Sequence, residues 1–333
     1  ADVPVYINAG SKGYFRTAYS PEEAAAITAS IETKFTPEER IGFVGDRWAL
    51  MQAGQGSVGD YLDLVLALKN DPDANVLDIA LGKVEGLDQR IATPEDSKRL
   101  HAVIRKQFGP IYAALGGHDK KESTQSMERR ALLFNVLGTA DDPAVLQQAT
   151  KITTELFTGK DASDPGLADA SVALTAKNGN ANFYDLMQKV SQNSTNPSLQ
   201  GETLHMLGDF EDSALVKRTL DYAVSGQVRN QDSWVIIASL LRHPATRAQA
   251  WDYVRENWDR VHAQLTASSG AGLVGSTGSF CTVAERDQVQ TFFAAHPVEN
   301  TERTLKQAYD ASSDCIQLRE SQEPKLKMWL DGQ

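Results

Sequence analysis

Ser20-Pro21-Glu22-Glu23, Thr36-Pro37-Glu38-Glu39 and Thr93-Pro94-Glu95-Asp96 repeat one design along the chain. A hydroxyl stands just before a helix, proline opens it, and an acid follows three residues after the hydroxyl. The hydroxyl accepts an N–H that the helix leaves unbonded, and proline fixes φ where no N–H is needed. The acid answers both the preceding N–H and the helix dipole. Asp142-Pro143, Asp164-Pro165 and Asn196-Pro197 are shorter forms of the same start signal. Between these signals the apolar residues recur at helical spacing. Ile41, Val44, Trp48 and Met51 share a face, as do Trp251, Val254, Trp258, Val261 and Leu265, and again Leu305, Tyr309, Ser312 and Ile316.

Read outward from these signals, the chain is a run of about fifteen helices of one and a half to five turns, joined by short connections. Gly109-Pro110 is expected to kink or break the helix that opens at Pro94. Pro197–Leu207, Ser213–Ser225, Gln231–Arg242 and Ala245–His262 follow one another with minimal loops and no intervening strand pattern. The predicted fold class is therefore all-α, an α-α superhelix of HEAT-like helical hairpins rather than a compact bundle.

Residues 1–19 depart from that pattern. Val3 to Asn8 alternates around Val5 and Ile7, Gly10-Ser11-Lys12-Gly13 supplies a turn, and Tyr14 to Tyr19 is aromatic-rich. Nothing later offers partner strands, and an isolated hairpin is marginal in water. The expected division is a β-strand remnant of a preceding sheet over 1–19 and a helical domain over 20–333.

The chain of 333 residues is 41% hydrophobic and 23% charged, ordinary for a globular protein, with a formal net charge of −11. Such an acidic surface repels phosphate backbones, so no nucleic-acid partner is expected. No apolar run approaches the roughly 18 residues of a membrane span, and no membrane partner is expected. Two cysteines are too few for a disulfide framework or a thiolate metal site.

Asn8-Ala9-Gly10, Gly13-Tyr14-Phe15-Arg16 and Tyr19 resemble a junction in the gluzincin zinc aminopeptidases of the alanyl and puromycin-sensitive type. In that family a strand closing a small β-sandwich leads into a C-terminal helical domain. Arg40, Asp46 and Trp48-Ala49-Leu50 resemble the next helix. Val228-Arg229-Asn230-Gln231-Asp232, the stretch from Ala250 to Trp258, Val289-Gln290-Thr291-Phe292-Phe293 and Met328-Trp329-Leu330 resemble later helical repeats. The resemblance covers nearly the whole chain in the right order. It implies a helical domain that caps a catalytic domain, limits entry to peptides and contacts the distal part of the substrate. The partners so implied are the catalytic and β-sandwich domains of the same parent chain, and a peptide substrate. The implied cofactor is zinc, held in the parent's catalytic domain by an H-E-x-x-H helix whose two histidines face one way. That pattern is missing here. None of His101, His118, His205, His243, His262 and His296 pairs at ligand spacing, so no catalytic residue and no metal ligand is expected in this chain.

Candidate contacts with a peptide are Arg229, Asn230, Gln231 and Asp232, a polar group opening the helix that carries Trp234, Ile237 and Leu241. A plain helix cap, with Asp232 near the positive end of the dipole, is the commoner occurrence and the favoured reading. Gly270-Ala271-Gly272-Leu273-Val274-Gly275 spells a dinucleotide fingerprint, but a Trp-rich helix precedes it where a strand is required. A connection between helical repeats accounts for it better, and because its counterpart in the family the chain resembles lies near the cavity, the resemblance implies Ser276 and Ser279 as further peptide-contact candidates. Arg16, Arg40 and Asp46 are read as a structural ion-pair group holding the strand remnant to the first helices.

If Thr282–His296 and Val298–Arg319 form an antiparallel hairpin about Pro297, Cys281 and Cys315 each lie about 24–27 Å from the turn by helical rise. That places them within disulfide range, while two reduced buried thiols fit equally well. A bridge would favour an exported parent over a cytoplasmic one. The predicted function is the non-catalytic C-terminal domain of a zinc-dependent aminopeptidase. A free-standing helical-repeat scaffold that binds a peptide or protein on its concave face is the alternative.

Overall fold

The computed structural model describes residues 5–119 and 121–333. It is all-α. Seventeen α-helices occur among the described residues: α1 Pro21–Lys34, α2 Pro37–Gln52, α3 Val58–Ala67, α4 Ala74–Ile91, α5 Pro94–Leu115, α6 Thr124–Thr139, α7 Pro143–Phe157, α8 Ala168–Lys177, α9 Ala181–Asn193, α10 Pro197–His205, α11 Ser213–Ala223, α12 Asn230–Arg242, α13 Pro244–Glu256, α14 Trp258–His262, α15 Ala267–Ser276, α16 Val283–Ala295 and α17 Glu302–Asp331. Two compact units share them. One holds the chain up to Ala170 together with Leu318–Gln333, and the other holds Ser171–Gln317.

The start signals work as their chemistry requires. Ser20 and Thr36 each form a reciprocal capping box with Glu23 and Glu39, and Thr93 accepts from the Asp96 N–H. Asp142 and Asn196 cap α7 and α10, whereas Asp164 caps a single 3-10 turn that leads into α8. Gly109-Pro110 does not break α5, because Pro110 sits near its end and little more than one turn remains to be bonded. The expected Ala245–His262 helix is two helices, divided at Asn257, whose side chain bonds the Tyr253 carbonyl.

In the first unit each helix packs on neighbours one or two places along the chain: α1 and α2 on α3, α2 and α3 on α4, α4 and α5 on α6, α6 on α7. This is the pattern of helical hairpins laid side by side. The core is aliphatic and aromatic, with Ile27, Phe43, Tyr61, Leu77, Phe108 and Phe134 all buried. The end of α17 is fastened to the α2–α3 connection by a fully buried amide. Gln322 accepts from the Val58 N–H at 2.9 Å and donates to the carbonyls of Met51 and Gly56. Trp329 adds a bond from its indole N–H to Asp63 at 2.7 Å. In the second unit α9 packs on α10, α11 on α12 and α13, and α12 on α13 and α15. Trp251, Phe280, Phe292 and Phe293 form its aromatic centre, with edge-on rings 5.3–5.6 Å apart around Trp251.

The two expected strands are not formed. Val3 and Pro4 lie outside the described residues, 5–8 are irregular, Ala9–Ser11 is a 3-10 turn and 16–20 carry no regular structure. A strand exists through its ladder, and no partner strand is formed among the described residues. The segment is bound to α2 instead. Tyr6 donates to the Glu39 carbonyl, the Gly10 N–H to Glu39, Ser11 to the Glu38 carbonyl and the Thr17 N–H to Asp46. Gly42 and Gly45 of α2 permit the approach, since a Cβ there would lie 3.0 Å from the Tyr6 hydroxyl and the Arg16 guanidinium respectively.

Arg16 pairs with Asp46 at 3.1 Å, but Arg40 does not join them. Six residues apart on α2, Arg40 and Asp46 point to different faces. Arg40 lies 3.1 Å from the fully buried Asp71, a charge contact without hydrogen-bond alignment, and donates to the Glu32 carbonyl. Burial pushes the Asp71 carboxyl up, against the pull of the Asp73 N–H and Arg40. A second buried cation, Arg130 of α6, is held between Glu122 and Asp164 and ties two loops to the helix. The Arg130 hydrogen bond holds Glu122 below its usual range. Arg130→Met leaves the buried Asp164 without its cation. We expect a loss of about 3–5 kcal/mol in urea unfolding, with the slope of the transition unchanged.

Candidate functional site

The polar group at the start of α12 is half committed to the fold. Asp232 is buried, with its carboxylate 2.9 Å from Arg229 Nε and 3.2 Å from His205 Nε2. It sits in the first turn, where the helix dipole favours a negative charge. Arg229 is the residue before the helix and makes no side-chain cap, so the first N–H groups of α12 have no hydroxyl or carboxylate of that residue over them. Arg229, Asn230 and Gln231 are all exposed. The outcome is a buried acid that orients a surface guanidinium and an imidazole. His205 is the member that spacing could not reveal, because it comes from α10.

Ser276 and Ser279 are placed differently. Ser276 is buried and donates to the Leu273 carbonyl, while Ser279 donates to the Ser276 carbonyl. Both hydroxyls donate to their own backbone. The glycine-rich stretch before them is the helix α15, packed on α12. A Cβ on Gly272 would meet the Trp234 ring at 2.3 Å, and one on Gly270 would meet Val298 at 2.7 Å. The glycines admit these neighbours and cradle no phosphate.

Cys281 and Cys315 are joined in a disulfide, with Cα atoms 5.2 Å apart. Among the described residues no three His, Cys, Asp or Glu side chains converge so as to hold a metal ion. In the second unit the fold perturbs Tyr253 and Asp221. Tyr253 donates to Asp221 at 2.7 Å, and burial together with that carboxylate pushes the phenol up. Burial works against Asp221, but Lys217, Tyr253 and Arg260 outweigh it and hold the carboxyl low. This is an acid satisfied from three sides.

A model of the ERAP1-like C-terminal domain matches residues 4–313. The chain belongs to that family. Its relatives include the alanine/arginine aminopeptidase of Saccharomyces cerevisiae, 26% identical over 313 residues, covering 91% of this chain and 36% of the relative. Aminopeptidase M1-D of Oryza sativa subsp. japonica is 26% identical over 318 residues, covering 92% of this chain and 36% of its own length. The mitochondrial aminopeptidase 2 of Saccharomyces cerevisiae is 25% identical and covered over 33% of its length. The chain thus spans about a third of the length of the curated relatives it matches. It is a C-terminal domain of the M1 aminopeptidase kind.

One further carboxyl stands out. Asp209 ends the 3-10 turn Met206–Asp209, which packs on α12, and burial raises its carboxyl from 3.8 to about 6. The folded protein holds this proton more tightly than the unfolded chain does. Asp209 therefore favours the folded state below its unfolded value of 3.8, and that advantage is lost as pH rises through about 6. Asp209→Asn should stabilise the protein by about 1–3 kcal/mol near pH 7.5 and by almost nothing near pH 4, measured as paired thermal unfolding curves.

Proposed function

We propose that this helical domain completes the substrate chamber of a zinc-dependent aminopeptidase that removes N-terminal residues from peptides. Its role there is to exclude large substrates and to position the distal part of a peptide. The observation that carries the reading is the family match, in which the same helical domain makes up about a third of longer proteins named as aminopeptidases. The N-terminal segment supports it. Tyr6 is docked on Phe35 and α2, yet Val5 and Ile7 on either side of it are 76% and 60% exposed. Tyr14 and Phe15 are also exposed. An alternating segment with one face docked and one apolar face outward is what a strand shared with a preceding β-sandwich would present. The free-standing scaffold has no such observation in its favour.

Within the domain, the exposed Arg229, Asn230 and Gln231 are the proposed peptide contacts, with Asp232 and His205 setting the guanidinium. Zinc, its water and the general base would belong to the catalytic domain. The disulfide favours a parent exported to an oxidising compartment, since thiols stay reduced in most cytosols.

The purified chain, given zinc and alanyl- or arginyl-coumarylamide, should release no coumarin. The parent enzyme should do so in a chelator-sensitive way. In the parent, Arg229→Ala should raise KM for long peptides roughly fivefold while leaving the coumarylamides unchanged, as expected for one exposed charge-assisted contact. Chelator-sensitive turnover by the chain alone would contradict the proposal.

A further inference from the structure

The helical hairpin of α16 and the first half of α17 is tied at both ends. The 296–301 turn joins the helices at one end. At the other, the Cys281–Cys315 disulfide and a hydrogen bond from Ser312 to the Phe280 carbonyl at 2.6 Å hold them. Between the ties lies a cleft of about 350 Å³, within the size range of small-molecule sites. Its walls are Val289 of α16 with Leu305, Ala308 and the ring of Tyr309 from α17. The hydroxyls at its floor are committed to the fold. Ser312 and Thr277 both line it, but each donates its proton to a backbone carbonyl, Thr277 to that of Val274 at 2.7 Å.

Polar recognition is left to the rim. Arg286 lies with its guanidinium 5.0 Å from the centroid of the Tyr309 ring. Its Nε and Nη2 donate to Asp287 and its Nη1 to Ser313 at a long 3.4 Å. A guanidinium has five N–H groups, so two remain for an acceptor in the cleft. Lys306, also on the rim and paired with Asp310, adds positive potential. Glu302 lies toward the turn end of α17 and repels a second negative charge there.

The geometry points to a binding site for a small monocarboxylate with an aromatic or branched apolar body. The body fills the space between Val289, Leu305 and Tyr309, and the carboxylate accepts from Arg286. Apolar burial supplies the affinity and the guanidinium supplies the choice of anion. The two ties keep the helices apart before any ligand arrives, so little ordering is needed on binding. The site is independent of the aminopeptidase reading, since all its residues lie in one hairpin and its approach.

Isothermal titration of the full chain with 4-phenylbutyrate tests this directly. Saturable one-site binding is expected, with a dissociation constant on the order of 1 mM or tighter. The alcohol 4-phenylbutanol should bind at least about fivefold more weakly, and Arg286→Gln should remove that preference, since charge-assisted bonds exceed neutral ones by about twofold in strength. Leu305→Trp, which fills the cleft from a half-exposed position, should abolish binding of both compounds while leaving the melting temperature within a few degrees. Should Leu305→Trp unfold the chain, a nuclear magnetic resonance footprint of 4-phenylbutyrate on the wild type decides instead, with shifts expected at Val289, Leu305 and Tyr309. Absence of saturable binding, equal affinity for the acid and the alcohol, or a footprint elsewhere would overturn the inference.

Discussion

Most of these helices are too short to persist alone. Elements of ten to sixteen residues are marginal in water and exist because one face is buried against something else. Here that something is in most cases the helix one or two places along the chain, with α12 on α15 and the end of α17 in the first unit as the more distant pairings. Long-range order then enters at few points. Gln322 is the clearest, because it carries a fully buried amide across more than two hundred and sixty residues of sequence to the α2–α3 turn. A buried amide left unmatched would be costly, so its three bonds specify one register for the end of α17.

This construction separates scaffold from surface. The hydroxyls and acids that could do chemistry are mostly consumed in caps and back-bonds. Ser276, Ser279 and Thr277 each bond a carbonyl of their own helix or turn. Among the groups that face outward are the Arg229 group on α12, the rim of the α16–α17 cleft, and the apolar side of residues 5–15. The role we propose for such a domain, contact and exclusion, draws on these outward groups.

Much of the fold was legible in the sequence because its punctuation is chemical. Ser20, Thr36 and Thr93, each followed by proline and an acid, announced helices that formed at the expected residues. What failed did so for non-local reasons. Val5–Asn8 carries a strand's alternation, but a strand needs a ladder, and the Tyr6 hydroxyl found the end of α1–α2 instead. Arg40 looked like a partner for Asp46 by proximity in sequence, while helical geometry turned it toward Asp71. His205 reached Asp232 from another helix, and no spacing rule links them. The cysteine heights were readable from helical rise, but only the packed hairpin decided between a bridge and two thiols. The glycines of α15 are the opposite lesson: a literal motif whose meaning is the width of Trp234.

We propose that residues 5–15 form one side of a joint with the β-sandwich domain of the parent protein. Hydrogen–deuterium exchange measures this in place, on the purified chain and on the longer parent protein. Amides of residues 5–8 and 14–16 should exchange fast in the isolated chain, while those of α2 are protected in both. In the parent the same terminal amides should slow by about a hundredfold or more, as expected when an exposed segment gains a ladder. Equally fast exchange of the segment in the parent would contradict it.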